Sequence, residues 1–208
     1  MPTRPFEAFA STYIVIPIDN VDTDQIIPAR FLKTIESTGL GGVAFHDWRY
    51  QADGVPNATF PLNEPGAADA QVLVAGRNFG CGSSREHAVW ALLGAGFRAV
   101  VSTEFADIFR GNALGNGLLP IQVSAAVIDR LTSAARDGSS TVSVDLASQT
   151  LIMPDGEAVQ FPIAPFAKHC LLHGIDDLDF LLGATAEVST YESSHSQRVS
   201  TFDPDVMS

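Results

Sequence analysis

The chain has 208 residues, 46% of them hydrophobic, enough to bury a core as one domain or at most two small ones. Twelve Lys and Arg against twenty-four Asp and Glu leave a net charge of −12, without the basic patch that nucleic acid or an anionic membrane requires. Met1 to Ser11 lacks an apolar signal core and no apolar run reaches membrane-spanning length, so the expectation is a cytoplasmic protein.

Tyr13 to Ile18 is apolar and β-branched and reads as a strand. It leads into a polar turn, Asp19 to Asp24, that crowds three carboxylates and a threonine, with helix expected around Ala29 to Ile35. The turn lacks the glycine and terminal glutamate of an EF-hand, which discounts calcium. Ser37 to Gly66, rich in Gly, Pro, Asn and aromatic residues, reads as a long loop. From there strands over Gln71 to Ala75, Arg98 to Ser102 and Leu118 to Val123 alternate with helices over Ser84 to Leu93, Ala106 to Leu114 and Ala125 to Ala135. That alternation predicts an α/β layer with mostly parallel strands. Thr141 to Leu146, Thr150 to Met153 and Ala158 to Phe161 read as antiparallel strands of a smaller β layer, the last two joined through Pro154-Asp155-Gly156. Short helices over Pro165 to His173 and Asp177 to Leu182 close a single domain of residues 1–188, and the Ser/Thr-rich residues 189–208 read as a disordered tail.

The run Gly80-Cys81-Gly82-Ser83-Ser84-Arg85-Glu86-His87 places two serines and an arginine where a glycine-rich turn feeds a helix. First-turn amides are unpaired donors with a positive dipole end behind them, and Arg85 adds a planar fork for a carboxylate or phosphate. The expected ligand is a small anion. Ser83 and Glu86 also fit the S-x-x-E capping box, in which each satisfies the other's orphan amide. Gly76, Gly80 and Gly82 look loosely like a dinucleotide fingerprint, but the wide gap comes first where the fingerprint has it second. Cys81 precedes a helix start, which could lower its pKa, yet nothing in the sequence places a base against it. Cys81 and Cys170 are too few for a disulfide framework or for a zinc or iron–sulfur centre held by this chain alone, so no metal is expected on its own residues. His169 and His173 share a helix face without a third ligand, which favours a structural role.

Taken together, Asn20 to Leu32, Asn78 to His87, Phe105-Ala106-Asp107-Ile108-Phe109 and His169-Cys170-x-x-x-Gly174 resemble one family, the small subunit of bacterial 3-isopropylmalate dehydratase, related to the swivelling domain of aconitase. The likeness runs from about Phe6 to Tyr191. It implies an α/β fold of the swivelling β/β/α type, a mixed sheet with helices and a smaller β layer, covering the active site of a large subunit. That subunit would carry a [4Fe–4S] cluster, with none bound by this chain alone. The implied activity is a hydro-lyase acting on a small dicarboxylate. It interconverts 2-isopropylmalate and 3-isopropylmalate through 2-isopropylmaleate in leucine biosynthesis, and only with the large subunit.

By the same resemblance Ser83 matches the base, acting as an alkoxide, while Gly82, Ser84 and Arg85 would stabilise that alkoxide or the developing aci-carboxylate. Asp24 matches an aspartate that orients a histidine on the large subunit, although Asp22 and Asp24 also suit turn formation and helix capping. Phe31 and Leu32 fall in the segment facing the substrate's side group, where an isopropyl group needs an apolar wall; core packing suits them nearly as well. Arg30 and Arg49 are candidates for a second substrate-binding arginine. Val89 stands where many relatives have proline. Related hydro-lyases for homoaconitate, citraconate or methylmalate would keep the Ser83 site. Outside that class stand a phosphate- or dinucleotide-binding module and a non-catalytic interaction subunit.

Overall fold

Seven strands form one mixed sheet in the order β4-β3-β2-β1-β5-β6-β7, and strand β1 (Phe9–Ile16) joins its two halves. The structure, a computed structural model, describes residues 4–32, 39–138 and 141–195. Tyr13 to Ile16 pair in parallel with β2 (Val72–Ala75), while Phe9 to Thr12 pair antiparallel with β5 (Thr141–Asp145). Beyond β2 lie β3 (Ala99–Ser102) and β4 (Leu119–Gln122), both parallel. Beyond β5 lie β6 (Thr150–Ile152) and β7 (Ala158–Gln160), both antiparallel. The expected smaller β layer therefore lies beside the α/β layer as its continuation, because one strand hydrogen-bonds to both.

Between β1 and β2 lie two short helices, α1 (Thr23–Ile26) and α2 (His46–Arg49). Helices α3 (Glu86–Gly94) and α4 (Asp107–Gly115) link the parallel strands, and α5 (Ala125–Arg136) leads into β5. Side chains alternate faces along a strand. Accordingly Ile14, Ile16, Leu73, Ala75 and Val100 pack with α3 and α4 on one face. Tyr13, Val72, Val74, Ala99 and Val101 pack with α5 and with Leu171 of α6 (Pro165–His173) on the other. All four residues of β2 are buried, as a strand covered on both faces requires. Val89 contributes to the first of these cores and is fully buried.

The Gly/Pro-rich stretch before β2 extends the first of these cores. Phe45 is fully buried, its ring stacked with Trp48 at 5.9 Å and tilted against Phe60 at 6.0 Å. A Cβ on Gly41 would overlap the Gly94 backbone, so glycine lets this segment rest against the end of α3. Helix is observed at α1 and as a 3₁₀ turn at Ala29–Phe31, and Lys33 to Ile35 of the expected helix lie outside the described residues.

Helices α7 (Asp177–Gly183) and α8 (Thr185–Ser194) follow α6. Phe180 anchors α7 against Phe166 and His169, with ring centroids 5.0 and 5.7 Å away. Composition assigned residues from Ser189 onward to a tail, whereas Ser189 to Ser194 are the last turns of α8; residues 196–208 lie outside the described residues.

Candidate active site

The first three strands of the parallel half end at Ile16, Ala75 and Ser102, and the loops leaving them are laced together at the carboxyl edge, where open α/β sheets bind ligands. Asn20 N–H donates to the Arg77 carbonyl (2.8 Å), Gly80 N–H to Val21 (2.8 Å) and Phe79 N–H to Glu104 (3.0 Å). Asn20 and Asn78 are both left-handed, with φ of 56° and 55°, and the Asn78 amide donates to the Asn20 side-chain oxygen at 2.9 Å. Asparagine tolerates that conformation better than other non-glycine residues.

Two glycines shape the turn. Gly80 (φ +78°) abuts the Phe109 side chain, and Gly82 (φ +88°) lies against the Asp22 carboxylate; a Cβ at either position would overlap its neighbour. Helix α3 starts two residues later than the sequence suggests, at Glu86, with Arg85 as an extended N-cap that lacks a side-chain cap bond. The Ser83–Glu86 capping box is therefore not made. Glu86 instead accepts from the Asn116 amide at 2.8 Å. Ser83 and Ser84 are exposed, and among the described residues neither hydroxyl has a protein hydrogen-bond partner.

Arg85 points its guanidinium at Asp24 and pairs with its carboxylate. That hydrogen bond, ahead of the simple charge attraction, holds Asp24 below the usual carboxylate range. Helix capping falls to Asp22, whose carboxylate accepts from Asp24 N–H at 2.7 Å while its own N–H donates to Gln25 at 2.8 Å. Burial, and then the Asp22 charge, push the Cys81 thiol up, opposite to what an activated nucleophile needs.

The structure thus brings Gly82, Ser83, Ser84, Arg85 and Asp24 together. Phe31 and Leu32 are half-buried against the core beneath the same edge, and the Phe31 ring lies 4.8 Å from that of His46. Arg30 is engaged by Asp47, and Arg49 donates to Asn63 (2.9 Å), so each is tied into the segment before β2. Sequence reasoning passed over Thr23, which is 1% exposed and donates its hydroxyl to the Ser83 carbonyl at 3.0 Å. Its signal was only its place between two aspartates, since its burial is a tertiary fact.

Among the described residues no three His, Cys, Asp or Glu side chains are grouped to hold a metal. Cys81 sits in the turn and Cys170 is buried in α6, so the chain's two thiols cannot between them satisfy a four-iron cluster. No helix of the described residues is long and apolar enough to cross a membrane.

Fold and turn define an aconitase-type domain: residues 6–126, more than half of the chain, match the family described as Aconitase C-terminal domain. The chain is 54% identical over 199 residues to a 3-isopropylmalate dehydratase small subunit of Roseiflexus sp. (strain RS-1), covering 95% of this chain and 98% of that one. A protein of the same name from Anaeromyxobacter dehalogenans (strain 2CP-1) is 53% identical over 189 residues, covering 91% and 97%. A crystal structure of 3-isopropylmalate dehydratase from Methanocaldococcus jannaschii superposes with a TM-score of 0.61 at 26% identity, covering 88% of this chain and 99% of that one. The chain belongs to the family of 3-isopropylmalate dehydratase small subunits.

Proposed function

We propose that this chain is the small subunit of a cytoplasmic 3-isopropylmalate dehydratase, interconverting 2- and 3-isopropylmalate through 2-isopropylmaleate in leucine biosynthesis. The enzyme works only when a large subunit closes over the Ser83 turn. The observation that carries this reading is that, among the described residues, the turn is built but left open. Ser83 and Ser84 stand exposed beside Arg85, and the chemistry calls for a site from which water is excluded. Ile18 and Ile108, 45% and 55% exposed, lie on the same edge and give a partner apolar surface to cover. The [4Fe–4S] cluster belongs to that partner, because this chain lacks the thiolates for it.

This chain's share of the reaction is proton transfer and charge stabilisation. Ser83 Oγ, as the alkoxide, takes the proton from the carbon α to a carboxylate; the electron pair of that C–H bond forms the double bond as the hydroxyl leaves the neighbouring carbon, where the partner's cluster would serve as Lewis acid and a proton from the large subunit would complete the departing water, and rehydration reverses each transfer. A serine hydroxyl is far too weak an acid to act unaided. The Gly82 and Ser84 N–H groups and Arg85 stabilise the negative charge, each good donor contributing roughly 3 to 4 kcal/mol in a water-free site. Asp24 holds Arg85 in place and, in the complex, faces a histidine of the large subunit. Phe31 and Leu32 contribute to the apolar wall for the isopropyl group.

The test is to mix the chain anaerobically with a cluster-loaded large subunit and follow 2-isopropylmaleate, comparing wild type with Ser83→Ala. Turnover lost in the mutant with assembly retained is the expected result. Unchanged turnover in the mutant overturns the role of Ser83. Turnover only on homoaconitate, citraconate or methylmalate reassigns the substrate.

A further inference from the structure

We infer that Thr23 is a positioning residue for Ser83, aiming the two backbone amides that flank it; the inference rests on the reading of Ser83 as the base. Thr23 holds the turn at two points. Its N–H donates to the Cys81 carbonyl at 2.9 Å and its hydroxyl donates to the Ser83 carbonyl at 3.0 Å. Peptide units are planar, and no peptide bond among the described residues is cis, so within each unit the C=O and N–H point in opposite directions. Pulling the Cys81 carbonyl onto Thr23 therefore turns the Gly82 N–H away from it, and pulling in the Ser83 carbonyl does the same to the Ser84 N–H. Both amides are left facing the open side of the turn, on which the Ser83 and Ser84 side chains are exposed. Among the described residues neither N–H has a protein acceptor. One threonine thus turns the donors on either side of the serine away from itself, leaving both available to an anion at the open side of the turn.

The neighbouring residues support the same turn without duplicating this function. Asp22 lies beneath Gly82 and Asp24 holds Arg85, but the Thr23 hydroxyl is the side-chain donor to the Ser83 carbonyl. Thr23 is buried by the loops themselves, so it reaches neither substrate nor partner and acts only through the peptide units it holds.

The experiment uses the assembled two-subunit enzyme with Thr23→Val, Thr23→Ser and, as reference, Ser83→Ala. Valine keeps the shape and removes the hydroxyl, while serine keeps the hydroxyl. With assembly and circular dichroism as in wild type, Thr23→Val is expected to lower kcat by about 10²-fold and to leave KM within about threefold, because a misdirected amide fails mainly where charge develops. Thr23→Ser is expected to restore kcat to within about threefold of wild type. Where Thr23→Val does not assemble, Thr23→Ala replaces it with the same expected loss. An inactive Ser83→Ala beside a Thr23→Val of near-wild-type kcat overturns the role of Thr23 alone. So does a Thr23→Ser as slow as Thr23→Val, or a loss confined to KM. A Ser83→Ala enzyme that turns over overturns the reading of Ser83, and the role of Thr23 with it.

Discussion

The Asp24 carboxylate grips the Arg85 guanidinium across 61 residues of sequence, tying the loop after β1 to the loop after β2. The Asp24 side chain is 51% exposed and that of Arg85 17% exposed, so the arginine is the fixed partner. An exposed ion pair contributes at most about 1 kcal/mol to stability. Asp24→Asn should therefore leave the fold almost unchanged, yet lower kcat/KM of the complex by about tenfold or more, because Arg85 loses the group that aims it. Steady-state kinetics beside thermal melts would check both halves.

The same pair sets a pH signature. Arg85 lowers the Asp24 pKa below its ordinary 3.8, so the stabilisation is complete above that value and is lost as the pH falls through the folded value. Asp24→Asn should therefore be less stable than wild type near neutrality and match it in strong acid. Urea titrations at two pH values would show the gap closing, and a constant gap would contradict the assignment.

Arg85→Lys keeps the charge and loses the planar fork. The expected result is a kcat lowered by roughly tenfold or more, with a smaller change in KM for the dicarboxylate, because Arg85 acts where negative charge develops; the measurement is made on the assembled enzyme.

Gly82→Ala places a Cβ on the Asp22 carboxylate at a position whose φ of +88° already disfavours any side chain. A cost of about 1 to 3 kcal/mol is expected from the backbone alone. The turn should relieve it by shifting, so turnover should fall even where the protein still folds. Denaturant midpoints and turnover of the same preparation would separate the two effects.

Tyr13, buried on β1, donates its hydroxyl to the Leu131 carbonyl of α5 at 2.7 Å, and burial pushes its pKa up to about 12. A raised folded value means that the unfolded chain loses this proton first. Stability should therefore decline as the pH rises from 10 to about 12. Tyr13→Phe should flatten that alkaline decline while lowering stability by about 1 kcal/mol at neutral pH through the lost hydrogen bond. Unfolding curves across that range would decide it.

The alternation of β2, α3, β3, α4, β4 and α5 was legible because each strand is a short apolar run and each segment that follows one has helix composition. The partner switch of β1 was not. Phe9 to Thr12 and Tyr13 to Ile16 are one continuous strand, and which neighbours it bonds is set by segments more than fifty residues away. Composition failed at α8, where a Ser/Thr-rich stretch is helical, and at the start of α3, where Ser84-Arg85 looked helical and is not.

By itself the sequence determined the chemistry on offer: two serines, an arginine and tight glycines in one turn, too few thiolates for a cluster, and a family signature spread over four segments. Tertiary structure alone decided which of those groups are engaged. Among the described residues it left the Ser83 hydroxyl without a protein hydrogen bond, gave Arg85 to Asp24, tied up Arg30 and Arg49 elsewhere, and buried Thr23 where it holds two carbonyls. The physical reason is that a hydrogen bond has a direction as well as partners. Direction is fixed only when the loops after β1 and β2, about sixty residues apart in the chain, meet at one edge of the sheet.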